Sequence, residues 1–269
     1  GITLSVDGDG FFTGVVTATT FKGDGTGLTG VAGTENIRTN TNATFLQNIN
    51  VGVAITAGKL GIGFTDSQIN IGNTALDSLT TGTFNSAVGN AALTANTTGA
   101  RNDAFGNVAL TSNTTGDDNS AFGAGALDAN TTGSQNAGFG RDALGGNTTA
   151  DNNTAVGFQA LLANTTGTPN TAVGALALDA NTTGNGNTAL GYNSLGANTT
   201  AGGNTAVGTD CLDANTTGTN NTAMGRDAMG VNTTGGENVA IGYLALDANT
   251  TASNNVAIGY NSLGANTTG

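Results

Sequence analysis

Residues 170–186 spell one complete copy of a repeated unit, Asn170-Thr171-Ala172-Val173-Gly174-Ala175-Leu176-Ala177-Leu178-Asp179-Ala180-Asn181-Thr182-Thr183-Gly184-Asn185-Gly186. Eleven copies begin at intervals of seventeen residues, at Asn85, Asn102, Asn119, Asn136, Asn153, Asn170, Asn187, Asn204, Asn221, Asn238 and Asn255. A fixed short period predicts a solenoid, in which each repeat is one coil that buries its apolar face only against its neighbours. Positions within a coil are numbered from its starting asparagine.

The residue types at fixed positions predict an all-β coil. Position three is nearly always alanine, position four is apolar, position five is glycine, and position nine is leucine or methionine. Seventeen residues are too few for two packed helices and their turns, and the recurring Asn, Thr and Gly disfavour helix. We therefore expect a parallel β-solenoid with extended segments at positions two to four and eight to eleven. Its corners should be the glycine of position five and the Asn-Thr-Thr-Gly run.

Stacking should place the same position of successive coils in one column, with a rise of about 4.8 Å per coil. We expect the asparagine columns to form amide ladders along the stack. Acids and glycines alternate at position ten, which limits repulsion between carboxylates, in the order Asp179, Gly196, Asp213, Gly230, Asp247 and Gly264. These aspartates are interpreted as solvated surface acids, with the binding of stray cations as the alternative.

The strand pattern also predicts an oligomer, because the side chains of positions three and four point to opposite faces and both are apolar. One face should fill the coil, while the other is expected to meet a second chain. A coil this thin has a low ratio of core to surface, so a single solenoid is expected to be only marginally stable. We predict a homotrimer, either intertwined or side by side.

Composition excludes several classes of function. The net charge is −12 with only six basic residues, which argues against nucleic acid and anionic membranes as partners. The sequence has no run of eighteen apolar residues, so no membrane insertion is predicted. Without histidine, and with its acids mostly at variable positions, the chain suggests no catalytic pair, metal cluster or cofactor. We predict that it is not an enzyme. Cys211, the only cysteine, is interpreted as a buried substitute for alanine, with a reactive thiol as the alternative.

Three segments are expected along the chain. Residues 1–33 form a β-rich fibre segment, residues 34–67 an irregular β connector, and residues 68–269 the solenoid of one degenerate and eleven regular copies. The last copy stops at Gly269, two residues before its coil would end, and the chain begins without methionine. We expect an interior piece of a longer protein.

The geometry of the coil bears on other functions of the surface columns. Asn-Thr-Thr matches a glycosylation sequon, but glycans on every coil would collide at about 4.8 Å, so a corner ladder is favoured. Adjacent threonines in an extended segment point to opposite sides, which disfavours a flat ice-binding face. Aromatic residues at position six are candidate contacts for host glycans, with burial beside a neighbouring chain as the favoured alternative; they are Phe158, Tyr192, Tyr243 and Tyr260.

Two stretches resemble known families. The motif Asn-Thr-Ala-Val-Gly, with its variant Asn238-Val239-Ala240-Ile241-Gly242, resembles the repeat of trimeric autotransporter adhesin heads, although the coils here are longer. That resemblance implies a left-handed parallel β-roll built as a trimer. The segment Phe21-Lys22-Gly23-Asp24-Gly25-Thr26-Gly27-Leu28-Thr29-Gly30 is similar to segments in fibre and structural proteins of tailed phages. Together the resemblances imply a viral fibre or a surface adhesin.

From these patterns we predict the structural shaft of a phage tail fibre or virion appendage, which holds a host-recognition tip away from the particle. Its expected location is the virion surface or the extracellular space, and its partners are its own copies and other virion proteins. The alternative is a surface adhesin whose shaft itself binds host glycans or protein. An ice-binding solenoid is a third, less favoured function.

Overall fold

The computed structural model describes residues 68–268, which form one parallel sheet of twelve three-residue strands. The predicted segments 1–33 and 34–67 lie outside the described residues. The strands are β1 (Ile69–Ile71), β2 (Ser86–Val88), β3 (Asp103–Phe105), β4 (Ser120–Phe122), β5 (Ala137–Phe139), β6 (Thr154–Val156), β7 (Thr171–Val173), β8 (Thr188–Leu190), β9 (Thr205–Val207), β10 (Thr222–Met224), β11 (Val239–Ile241) and β12 (Val256–Ile258).

The register between strands is constant along the sheet. Thr171 of β7 pairs with Thr188 of β8, and the degenerate first copy follows the same rule, with Ile69 opposite Ser86. Each strand therefore pairs with the same position of the coil before or after it. The parallel β-solenoid of seventeen-residue coils predicted from the repeat is confirmed, and so is the extended segment at positions two to four.

The second extended segment, expected at positions eight to eleven, was predicted wrongly. Positions six to eleven form turns, and the backbone is left-handed at positions seven and nine, as at Leu176 (φ 58°) and Leu178 (φ 54°). The segment nevertheless bonds to both neighbouring coils. The N–H of Leu176 donates to the Phe158 carbonyl (3.0 Å), and that of Leu178 donates to the Ser194 carbonyl (2.9 Å). These bonds satisfy the backbone and offset the cost of left-handed leucines.

The glycine of position five forms the corner that ends each strand. Gly174 has a φ of 139°, and a β-carbon there would collide with the carbonyl oxygen of Gly191 in the next coil. Only glycine meets both demands, because it lacks a β-carbon and accepts this backbone conformation. The sequence prediction of a glycine corner is confirmed.

The interior of the solenoid is a column of leucines lined by alanines. The leucine of position nine and the alanines of positions three and eight, such as Leu178, Ala172 and Ala177, have no exposed surface in the central coils. They belong to one continuous apolar cluster that extends from Ala75 to Ala257. Each coil closes its core only by contact with the next, as the stacking argument requires.

Two asparagine columns, at positions one and twelve, form the polar walls of the interior. The side-chain amide of Asn181 donates to Oδ1 of Asn164 (2.9 Å) and to the Gly184 carbonyl (3.1 Å). At position one, the Asn119 amide donates to the Gly133 carbonyl (2.8 Å), while its backbone N–H donates to Oδ1 of Asn102 (3.0 Å). The predicted amide ladders are therefore confirmed.

Candidate functional site on the outer face of the sheet

The outer face of the sheet carries most of the exposed apolar surface in residues 68–268. We call the side chains at positions two, four and six of the coils the outer strip. All but three of the large apolar side chains exposed in the described part lie on this strip, and the exceptions are Phe84, Val231 and Leu263. Such clustering differs from the scattered apolar exposure that is normal for protein surfaces.

Strand alternation produces this surface. In strands β2 to β12 the middle residue is buried and faces the core, so its two flanking residues face outward. Ala223 is fully buried, for example, whereas Met224 beside it is 42% exposed, and Ile258 in the last strand reaches 65%. The expectation that one strand face fills the coil is correct, and the other face carries an apolar column at position four beside mostly serine and threonine side chains at position two.

Three phenylalanines at position four form a stack on the strip. The ring centroids of Phe105 and Phe122 lie 4.7 Å apart, and those of Phe122 and Phe139 lie 4.9 Å apart, with interplanar angles of 6° and 7°. The spacing matches the rise between coils, so identical side chains stack in the same orientation. Sequence reasoning did not single out this stack, although phenylalanine at position four of three consecutive coils was the available signal.

The aromatic residues predicted at position six are only partly brought together. Tyr243 and Tyr260 lie in adjacent coils with ring centroids 5.6 Å apart and planes tilted by 42°. Phe158 and Tyr192 are separated by a whole coil, or about 9.6 Å of rise, and Ala175 occupies position six between them. The structure therefore offers one aromatic pair and two separate rings.

Arginines cover two of these rings. The guanidinium carbon of Arg226 lies 4.5 Å from the centre of the Tyr243 ring, and that of Arg141 lies 6.0 Å from the Phe158 ring. Nε of Arg226 is also 3.2 Å from Oδ2 of Asp227. The arginine thus places its charge between a ring and a carboxylate, which leaves less of the Tyr243 face for a sugar. Tyr192 and Tyr260, which are 52% and 75% exposed, are more open.

The threonines of the Asn-Thr-Thr corner divide into two columns. The hydroxyl of Thr182, at position thirteen, donates to the Thr199 carbonyl of the next coil (3.1 Å), whereas Thr183 at position fourteen is exposed. Asn181 before them is fully buried. A buried asparagine with a bonded amide is a poor glycosylation acceptor, so the corner-ladder interpretation is confirmed. One exposed column also does not make a flat two-column face at this corner.

Three aspartates of position ten are half-buried, and burial raises the pKa of each of them, Asp128, Asp179 and Asp213. The negative charges of Asp210 and Asp227 raise the pKa of Asp213 further. The nearest acids are therefore at position seven, a proximity that the one-column sequence argument missed. Within residues 68–268, no group of three or more acids or cysteines is placed to hold a metal ion.

Cys211 replaces the small residue of position eight and has no exposed surface. Burial raises the pKa of its thiol to about 12, so the sulfur is protonated at neutral pH. Because the thiolate is the reactive form, this cysteine behaves as a small apolar side chain. The interpretation as a buried substitute for alanine is confirmed.

No protein-family model, curated protein or solved structure matches this chain. Within residues 68–268, no helix has the length and the apolar character that crossing a membrane requires. The described part of the chain is a parallel β-solenoid with seventeen-residue coils. One outer strip carries most of its exposed large apolar side chains.

Proposed function

We propose that this chain is the structural shaft of a phage tail fibre or related virion appendage, which holds a host-recognition tip away from the particle. One observation carries the proposal. Twelve strands follow each other in sheet order, and every pairing keeps the same offset, without an inserted loop or a skipped coil. A spacer requires only such regularity, whereas a binding or catalytic site usually interrupts a repeat.

The bonding between coils suits a rod under load. Backbone hydrogen bonds join successive coils in the strand, in the turn segment and at the Asn-Thr-Thr corner, where the N–H of Thr182 donates to the Thr199 carbonyl (2.8 Å). All three sides of the coil therefore resist separation along the axis. The eleven steps between the twelve strands give the rod a length of roughly 53 Å.

The virion assignment rests on resemblance rather than on the rod itself. The Phe21–Gly30 segment is similar to segments of phage fibre proteins, and the Asn-Thr-Ala-Val-Gly strand resembles trimeric adhesin repeats. The proposed assembly is a homotrimer at the virion surface that contacts other virion proteins and has no catalytic activity. Antibodies against the coils should label an appendage in electron micrographs of the source particle, and label confined to the particle body would contradict the assignment.

Removal of whole coils tests the shaft. Deletion of Asn170–Gly203, which is two coils, joins Pro169 to Asn204 in register. The shortened chain should fold, keep its oligomeric state and form a rod about 9.6 Å shorter. Scattering or electron microscopy of the purified rods measures the length, and an unchanged length would contradict the proposal.

An eight-residue deletion, Asn170–Ala177, is the matched control. It places Leu178 in the asparagine column of position one and Gly186 in the leucine column of position nine. It also moves Thr182 into the glycine corner, where a β-carbon collides with the neighbouring coil. This variant should aggregate or fail to fold. If both deletions behave alike, the seventeen-residue coil is not the structural unit of the shaft.

A second candidate function is an adhesin whose shaft itself binds host glycans. Exposed aromatic rings at position six favour it, because sugar faces stack on such rings; the most open are Tyr192 and Tyr260. A glycan array probed with the purified shaft separates the two functions. The spacer predicts no binding, whereas an adhesin predicts binding that is lost in Tyr192→Ala and Tyr260→Ala.

A further inference from the structure

The outer strip runs along the whole described sheet, from β1 to β12. At about 4.8 Å per coil, it is roughly 53 Å long. The column at position fourteen, by contrast, consists of exposed threonines such as Thr98 and Thr251. Within the strip, the apolar side chains are mainly those of position four, flanked by mostly hydroxyl side chains at position two, and an apolar column of this length marks an interaction surface.

The strip carries little unbalanced charge. Asp103 is its only charged residue at positions two and four of the described coils. The arginines at position six, Arg141 and Arg226, each pair with the following aspartate, at 3.3 Å from Asp142 and 3.2 Å from Asp227. A strongly charged partner would find few counterparts here. A nearly neutral surface with a central apolar column is instead typical of the centre of interfaces between protein chains, where charged residues are depleted.

We propose that the strip is covered by further copies of this chain, which run in the same direction and in register. The proposal rests on the proposed shaft function, because copies fixed at one end of a fibre have to run in one direction. A partner that contacts the strip over its full length must repeat with the rise of the coil. A second copy of the solenoid has that rise by construction, so that each coil meets the same coil of its neighbour.

The strip is large enough to supply much of a contact between chains. Its strands, at positions two to four, are about 10 Å wide, so this face presents on the order of 500 Å² per copy before the position-six side chains beyond the glycine corner are added. Stable interfaces bury about 800 Å² on each partner. In-register copies also bring the Phe105, Phe122 and Phe139 stack of one chain against the same stack of another, which concentrates aromatic contacts in one region.

Cross-linking through single cysteines tests both the face and the direction. In a Cys211→Ala background, Val88→Cys and Ile241→Cys place thiols on the strip near its two ends. Thr98→Cys and Thr251→Cys, in the same coils but on the threonine column, are the matched controls. A bis-maleimide about 10 Å long is the reagent, because facing sheets lie about 10 Å apart and a disulfide cannot bridge that distance.

The expected result is efficient cross-linking of Val88→Cys with itself and of Ile241→Cys with itself. Each should give at least roughly tenfold more covalent dimer than its threonine control at equal labelling, with light scattering to confirm that all variants keep the native mass. A co-assembled mixture of the two strip variants should give no product that joins residue 88 to residue 241.

Three results would overturn the proposal. A product that joins only residues 88 and 241 shows antiparallel copies. Stronger cross-linking at Thr98→Cys or Thr251→Cys shows that another face forms the contact. A monomeric mass without cross-links shows that no copy covers the strip. The rod length measured after the two-coil deletion does not depend on which faces cross-link. Failure of the shaft function can therefore be distinguished from failure of this proposal.

Discussion

Two columns of large apolar side chains run along the solenoid, and one is buried while the other is exposed. The inner column, at position nine, is fully buried in every coil from Leu93 to Leu246, whereas the outer column, at position four, faces solvent, with Leu190 46% exposed. Both columns are apolar in the sequence, and strand alternation predicted only that positions three and four face opposite ways. Apolar character alone therefore does not assign a side chain to the interior, because local backbone conformation decides which way it points.

The interior explains why position four was turned outward. Position three is alanine in ten of the eleven regular copies and Gly138 in the other. A β-carbon on Gly138 would already lie 3.1 Å from the Ala143 carbonyl oxygen and 3.5 Å from Leu127. The space opposite the leucine column thus accepts a methyl group and little more. The larger residue of each strand pair has to take the outward position.

The largest expected effect comes from one charge placed in each column of the same coil. Leu178→Asp buries an unpaired carboxylate and should lower the free energy of unfolding by several kcal/mol. Val173→Asp points outward and should cost under about 1 kcal/mol, yet it should weaken assembly by placing like charges across the proposed contact. Chemical denaturation measures the first effect and light scattering the second. Equal losses of stability would remove the distinction between the columns.

Overpacking of the inner face should have the next largest effect. Ala172→Leu adds three carbons beside the leucine column and should destabilise the coil by about 1–3 kcal/mol. Val173→Leu adds one carbon to the outer face and should leave the free energy of unfolding nearly unchanged. Thermal unfolding of the two variants compares them directly. A harmless Ala172→Leu would show that the interior has unused space.

An effect of intermediate size is expected when the buried asparagine column is compared with the exposed threonine column. Asn181→Leu removes the bonds that join Asn181 to Oδ1 of Asn164 and to the side-chain amide of Asn198 (3.0 Å). The lost partners should cost about 2 kcal/mol of folding free energy. Thr183→Ala, on the exposed column of the same corner, should change stability by less than about 0.5 kcal/mol. Denaturant midpoints rank the two variants, and the reverse order would contradict the ladder.

The smallest expected effect concerns the half-buried acids. Burial raises the folded-state pKa of Asp179 above its usual value near 3.8. The folded chain then binds a proton more readily than the unfolded chain, so stability should increase as the pH falls from neutral through the folded-state pKa. Asp179→Asn should be slightly more stable than the parent at pH 7, and this advantage should vanish below about pH 4.

Unfolding curves recorded between pH 3 and pH 7 measure this difference. Asp77→Asn, at the same position of the first coil but exposed, controls for the loss of a surface charge. The contradicting result is a parent chain and an Asp179→Asn variant whose unfolding free energies fall equally from pH 7 to pH 4. That result would show that Asp179 contributes nothing to the pH dependence.

Much of the architecture was predictable from the repeat, and one segment was not. The period, the strand at positions two to four, the glycine corner and the asparagine ladders all depend on residue types that recur at fixed positions. The turn at positions six to eleven was missed because the leucine or methionine of position nine, which normally avoids positive φ, adopts it in every described coil, as at Leu178. Its conformation is maintained by hydrogen bonds to adjacent coils, and no propensity within one coil reports those bonds.

The candidate surface shows the same division. The sequence by itself determined the coil length, the stacking in register and the presence of two large apolar columns, since each follows from a seventeen-residue period. Only the tertiary structure decided that the column of position nine lies inside and the column of position four outside. The reason is steric and non-local: the room inside a coil depends on how far its turn segment stands from its strand. That distance is set by contacts between residues from successive coils.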